Sequence, residues 1–217
     1  MDHLRIIGVC GRKRHGKDSV GRILRDHYDY NLTAFADAVK RVAMDVYGLT
    51  WEQCYGEETQ KETPVERWGL SPRTIMQRIG TEVGRSIHPE TWIRNTLDNI
   101  QRASLGAGFI QRDDFQQEFL QSPPGDPKPR WVITDVRFPN EAQAIRDSGG
   151  IILKVVRPSL VRPLDEHPSE TSLDLILADY IIVNSGSLED LANSVKDIFS
   201  PRQLDLFDRD FPFRRTS

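Results

Sequence analysis

The stretch Gly11-Arg12-Lys13-Arg14-His15-Gly16-Lys17-Asp18-Ser19 constrains this chain more than any other. It follows the apolar run Leu4–Cys10 and leads into Val20-Gly21-Arg22-Ile23-Leu24, whose apolar residues recur at helical spacing. Strand, glycine-bounded loop and helix in that order fit the pattern G-x-x-x-x-G-K. In that pattern backbone N–H groups converge on phosphate oxygens and the helix N-terminus adds its positive end. The expectation is a nucleoside triphosphate site anchored by Gly11, Gly16 and Lys17.

One position departs from the pattern. A hydroxyl residue ordinarily follows the lysine and sits on Mg²⁺; here Asp18 does, and Ser19 comes one step later. A carboxylate beside polyphosphate is repelled unless a cation lies between them, so Asp18 points to a metal-linked role, direct or through water. The plainer reading is an acidic residue favouring the first helical turn through the dipole.

The remaining pattern is that of an α/β protein. Strands are expected at Leu4–Cys10, Asn31–Ala36, Trp131–Thr134, Ile151–Val156 and Asp179–Val183. The continuous apolar runs suit strands buried on both faces. Helices are expected at Asp37–Tyr47, from Ser71-Pro72-Arg73 onward, and at Pro89–Ile100, Pro139–Ser148 and Leu188–Phe199. Alternation of this kind predicts a three-layer fold, a parallel sheet with helices on both faces and ligands at the strand C-termini. The 217 residues suffice for one such domain over 1–200, with a mobile insertion at about 104–130, a lid at about 157–172 and a tail at 201–217. A net charge of −3 argues against a nucleic-acid wrapper. The two cysteines, Cys10 and Cys54, suggest neither a disulfide framework nor a metal site. With no signal peptide and no membrane-length apolar run, a soluble cytoplasmic protein is expected.

A second cluster follows the third strand. Asp135 stands where such folds hold Mg²⁺ or its water shell, and Arg137 projects the same way along an extended chain. A guanidinium there could clamp an acceptor phosphate. The bland alternative is an Asp–Arg pair, with Glu141 favouring the N-terminus of the next helix. Arg73 and Gln77 share a helical face and could bind a phosphate and a base edge. Trp92 could stack on a base, although composition alone favours core. His88 reads as leading into a helix. Arg157 opens a Pro-rich charged segment of the kind that closes over phosphates and excludes water.

Taken together, these residues resemble the bacteriophage deoxynucleoside monophosphate kinases. The likeness runs from Leu4 to about Phe199. It rests on Gly11–Ser19, Ser71–Glu82, Trp92, Asp135-Val136-Arg137 with Glu141, Val155-Val156-Arg157-Pro158, Asp165–Glu170 and Ile182–Asp190. The resemblance implies a P-loop kinase using ATP and Mg²⁺ to convert dNMP to dNDP for DNA synthesis, in the host cytoplasm if phage-encoded. It implies Lys13, Arg14, Asp18 and Ser19 close to the phosphates, and Arg73, Gln77, Trp92, Arg137, Glu141 and Glu170 on the acceptor side. It allows a homodimer. Lys17, Asp18, Asp135, Arg137 and Arg157 then form the catalytic set, with Asp18 and Asp135 toward the metal. Phosphomevalonate kinases share part of this pattern but lack the Ser71–Glu82 segment in this form. A kinase of a modified base in DNA would want a basic channel. A regulatory NTP-binding protein would bind ATP without transferring phosphate to a nucleotide.

Gln203-Leu204-Asp205-Leu206-Phe207 has no place in that fold and resembles the bacterial sliding-clamp-binding peptide at all five positions. Leu204, Leu206 and Phe207 would be anchors, with Gln203 hydrogen-bonding at the pocket edge. The alternative is that these residues pack back on the domain or a dimer partner.

Overall fold

The computed structural model describes residues 5–104, 129–160 and 172–199. Among them five strands form one sheet: β1 (Arg5–Cys10), β2 (Tyr30–Thr33), β3 (Arg130–Val136), β4 (Ile151–Val156) and β5 (Tyr180–Val183). Their order is β2-β3-β1-β4-β5, and every neighbouring pair is parallel. β1 lies at the centre, which is why it is apolar on both faces. Ile6 and Cys10 face one layer; Ile7 and Val9 face the other.

On one face α1 (Lys17–Tyr28) and α9 (Leu188–Ile198) bury Val20, Ile23, Leu24, Leu191 and Val195 against Ile7, Val9, Leu153 and Val155. On the other, α7 (Thr91–Ser104) and α8 (Pro139–Asp147) bring Ile93, Ile100 and Ile145 onto Ile6, Trp131, Ile133 and Ile152. This is the three-layer α/β architecture the alternation predicts. A satellite core of Val39, Ala43, Leu49, Cys54, Ile75 and Ile79 joins α2 (Ala36–Tyr47), α3 (Trp51–Tyr55), α5 (Pro72–Gln77) and a π-helical turn (Arg78–Val83). The short helices α4 (Glu58–Glu62) and α6 (Gly84–Ile87) complete this arm beside the sheet. Burial pushes the thiols of Cys10 and Cys54 up to about 11, so both are inert packing residues.

Boundaries differ from the sequence pattern where side chains capture backbone amides. β2 ends at Thr33 rather than Ala36, because the N–H groups of Ala34, Phe35 and Ala36 donate to Asp37 and Asp135. The Ser71 cap is present, its hydroxyl accepting the Thr74 N–H at 3.2 Å. His88 does lead into a helix, its Nδ1 accepting the Glu90 N–H. The helices α3 and α4 have no counterpart in the sequence pattern, being five residues each with little periodicity to read. Most of the 104–130 insertion, most of the 157–172 segment with Glu170, and the tail with Gln203–Phe207 lie outside the described residues.

Candidate active site

The loop between β1 and α1 is fixed by backbone geometry. Gly11 has φ 150°, and a Cβ there would lie 2.5 Å from the Val155 carbonyl oxygen. Gly16 has φ 105°, and a Cβ would meet Asn184 Nδ2 at 2.6 Å. Neither position accepts a side chain. Arg14 adopts a left-handed conformation without being glycine (φ 66°), local strain that the surrounding loop must hold.

Two buried polar residues tie the loop to neighbouring strand ends, Asn184 from beyond β5 and His15 from the loop itself. Asn184, just past β5, donates to the His15 carbonyl at 2.9 Å. His15 Nδ1 lies 3.2 Å from the Val155 carbonyl and 3.4 Å from the Arg157 amide, so its tautomer decides which contact forms. Lys17 opens α1, and its Nζ donates to the Arg12 carbonyl at 2.9 Å. Asp18 follows, exposed on the first turn.

At the end of β3 the two acids have separate tasks. The Asp135 carboxylate accepts the Phe35 N–H at 2.8 Å and the Ala36 N–H at 2.9 Å, tying β3 to the start of α2. Burial raises its pKa, opposed by those amides and by Arg137. Glu141 is buried, and its Oε2 accepts the Arg137 and Phe138 N–H groups at 2.8 and 3.0 Å. Its Oε1 pairs with Arg85 at 3.2 Å, and the Arg85 guanidinium lies 3.7 Å over the Phe138 ring. Desolvation pushes Glu141 up to about 7, against the pull of the backbone amides and Arg85. Glu141 thereby sets the turn that carries Arg137.

A cavity of about 400 Å³ lies between α1, α2, α3 and α7 and reaches Asp18 on the first turn of α1. Asp18, Asp37, Lys40 and Thr134 line it, with Trp51, Tyr55, Lys61, Asn95 and Asn99. The rings of Trp51 and Tyr55 stack at 5.5 Å and 19°, and Lys40 Nζ sits 4.0 Å over Tyr55. Asp37 accepts the Ala34 N–H at 2.8 Å and lies 3.5 Å from Lys40. Trp131, also in the wall, keeps a buried indole N–H with no partner among the described residues. Burial lowers the pKa of Lys61, helped by the charges of Lys40 and Arg73.

The sequence profile of the family described as Deoxynucleotide monophosphate kinase matches residues 57–195. The chain belongs to this family. A protein of Acanthamoeba polyphaga mimivirus, described under the same kinase heading, is 33% identical over 192 residues, covering 88% of this chain and 93% of that one. The deoxynucleotide monophosphate kinase of Enterobacteria phage T4 is 34% identical over 132 residues, 61% of this chain; the chain spans about half of the phage protein (46%). The dephospho-CoA kinase of Campylobacter jejuni superposes with a TM-score of 0.44 at 14% identity, over 91% of this chain and 96% of its own.

Gly11, Arg14, Gly16, Lys17, Asp18 and Ser19 share one loop and helix start. Lys13 reaches from that loop to Glu58 of α4 at 2.6 Å, and Arg73 of α5 pairs with Glu58 and Glu62. The half-buried Trp92 has its indole against Gly84 and donates to the Gly80 carbonyl at 2.7 Å. Arg73, Gln77, Trp92, Arg137 and Glu141 are not in the cavity wall, whereas Asp37, Lys40, Trp51 and Tyr55 are. Only spacing could have flagged these four: Asp37 and Lys40 lie three apart on a helix following a strand end, and Trp51 and Tyr55 four apart.

Proposed function

We propose that the protein transfers the γ-phosphoryl group of ATP to the 5′-phosphate of deoxynucleoside monophosphates. The observation that carries this reading is the glycine loop, barred from bearing side chains at Gly11 and Gly16, which leads into the helix whose Asp18 lines a nucleotide-sized cavity in a chain of this kinase family. The loop amides with Lys13, Arg14, Lys17 and Ser19 receive the ATP phosphates. Arg137 and Arg73 take the acceptor phosphate, Gln77 lies on the same helical face as Arg73, and Arg157 approaches from the 157–172 segment. The cavity receives the nucleoside, with Trp51 and Tyr55 as an aromatic wall and Asn95 and Asn99 as adaptable polar groups.

In the transfer, an oxygen of the acceptor phosphate bonds to the γ-phosphorus as the bond to the β,γ-bridging oxygen breaks, and ADP leaves with that oxygen. The acceptor oxygen is already anionic, so no strong base is required. Positioning and charge neutralisation do the work. Glu141 and Arg85 hold Arg137 in place, and Trp92 keeps the Gly80–Gly84 turn packed.

Mg²⁺ fits the donor set. It is ordinarily held by one or two carboxylates plus substrate phosphates. Among the described residues no group of three or more His, Cys, Asp or Glu forms a metal cage, and Asp18 stands exposed at the cavity wall. Asp18 would hold it directly, and Asp135, whose oxygens already accept two amides, through water. When bound, Mg²⁺ neutralises charge on the β- and γ-phosphates.

The test is ADP release from ATP and Mg²⁺ with dAMP, dGMP, dCMP, dTMP and dUMP offered separately. Acceptor-dependent release is expected. Release with none of them, despite ATP binding, would move the reading to another acceptor such as phosphomevalonate. No helix among the described residues is long and apolar enough to cross a membrane. A clamp tether through Gln203–Phe207 is supported by the pentapeptide match alone. Titration of that peptide against a bacterial clamp should give micromolar binding that is lost with Leu206→Ala and Phe207→Ala.

A further inference from the structure

The arm carries an anion where substrate anions are expected. One oxygen of Glu58, Oε1, accepts from Lys13 Nζ at 2.6 Å and also from Arg73 Nη2. Arg73 Nε is held separately by Glu62. Lys13 belongs to the loop assigned to ATP, and Arg73 to the helix assigned to the acceptor phosphate. A single carboxylate therefore bridges the donor and acceptor halves of the site.

Charge explains why a carboxylate stands there. Lys13, Lys61 and Arg73 all interact with Glu58, and Lys40 adds its charge beside Lys61. Without an anion these cations would repel one another and splay the arm from the loop. The Glu58 side chain is 41% exposed and Lys13 49%, so the pairs face solvent and can exchange. Burial works to raise the Glu58 pKa, yet the Lys13 hydrogen bond and the Arg73 and Lys13 charges hold it below its usual value.

We propose that Glu58 is the resident anion of the phosphate site, displaced from Lys13 and Arg73 when nucleotide phosphates bind. The exchange favours the ligand, because a phosphate monoester carries roughly −1.5 to −2 charge at neutral pH against one on the carboxylate. Glu62 keeps its hold on Arg73 Nε throughout, so the guanidinium stays aimed while Nη2 changes partner. Glu58 thus lowers nucleotide affinity while keeping the empty site assembled. The proposal rests on the assignment of Lys13 and Arg73 to phosphates.

The test is calorimetric titration of the full-length protein with dTMP, or whichever dNMP proves the best acceptor. Wild type is compared with Glu58→Gln, Glu58→Ala, Arg73→Ala and the Glu58→Gln/Arg73→Ala pair, each checked for cooperative melting. Glu58→Gln should tighten dNMP binding about three- to tenfold, the range of one to two exposed ion pairs. Arg73→Ala should weaken it, and the gain from Glu58→Gln should shrink in the Arg73→Ala background. If Glu58 instead braces Arg73 for substrate, both Glu58 variants bind dNMP no better than wild type, and the proposal is overturned while the phosphate assignment stands. Unchanged binding by Arg73→Ala would overturn both.

Discussion

The loop and the arm hold charge in opposite ways. Around the loop, polar contacts are buried, made largely to backbone, and set by residues with no freedom to leave: Asn184 on the His15 carbonyl, Asp135 on the α2 amides, Glu141 on the Arg137 amide. In the arm, Glu58, Arg73 and Glu62 are partly exposed and paired with one another and with Lys13, which reaches across from the loop. Buried amide contacts are costly to break and give a preorganised cradle. Exposed ion pairs are worth little each and exchange readily. A site that must admit and release two highly charged nucleotides has use for both: a rigid half to place phosphate and an exchangeable half to let it come and go.

The largest effect is expected from Lys17→Ala. If Lys17 meets the ATP phosphates as proposed, the change removes charge from the transferring group and should lower kcat by on the order of 10³-fold or more. Lys17 Nζ donates to the Arg12 carbonyl within the same loop, so the variant should keep its fold and still melt cooperatively. A variant that retains near-normal turnover would remove the loop from the mechanism. Next is Gly16→Ala, where positive φ and the close Asn184 amide together should cost roughly 3 kcal/mol in denaturant unfolding and disable nucleotide binding.

The rigid half should also carry a pH signature. Glu141 in the folded protein is raised to about 7 from 4.5, so the fold retains a proton that the unfolded chain has released. Its contribution is fully present below pH 4.5 and is lost as pH rises through about 7. The loss is on the order of 3 kcal/mol by linkage. Melting temperatures across that window should fall with pH in wild type and flatten in Glu141→Gln. A smaller effect is expected from Asn184→Ala, which leaves the His15 carbonyl without its donor and should destabilise by about 1–3 kcal/mol, with weaker ATP binding.

The same division explains what could be read in the sequence. β1, β4 and the loop declared themselves, because a strand buried on both faces must be apolar and a phosphate cradle must have glycine where backbone crowds backbone. Asp135, Arg137 and Glu141 were legible as a strand-end cluster, but not the division of labour in which Asp135 caps α2 and Glu141 fixes the Arg137 turn. Those roles depend on amides that sequence spacing cannot place. The arm was least legible. α3 and α4 are too short to show a period, and the meeting of Lys13, Glu58 and Arg73 joins residues 45 and 15 positions apart through tertiary packing. Trp92 lies against Gly84 by a contact that its place in the motif could not show, and the stacking of Trp51 on Tyr55 in the cavity wall was equally out of reach.

The most direct measurement is product identity. The full-length protein is incubated with ATP, Mg²⁺ and each dNMP in turn, and the nucleotides are separated by chromatography, with Lys17→Ala in parallel. Expected are dNDP and ADP in equal amounts with at least one dNMP, and neither in the variant. ATP binding without any dNDP, or equal dNDP formation by Lys17→Ala, would contradict the proposed transfer.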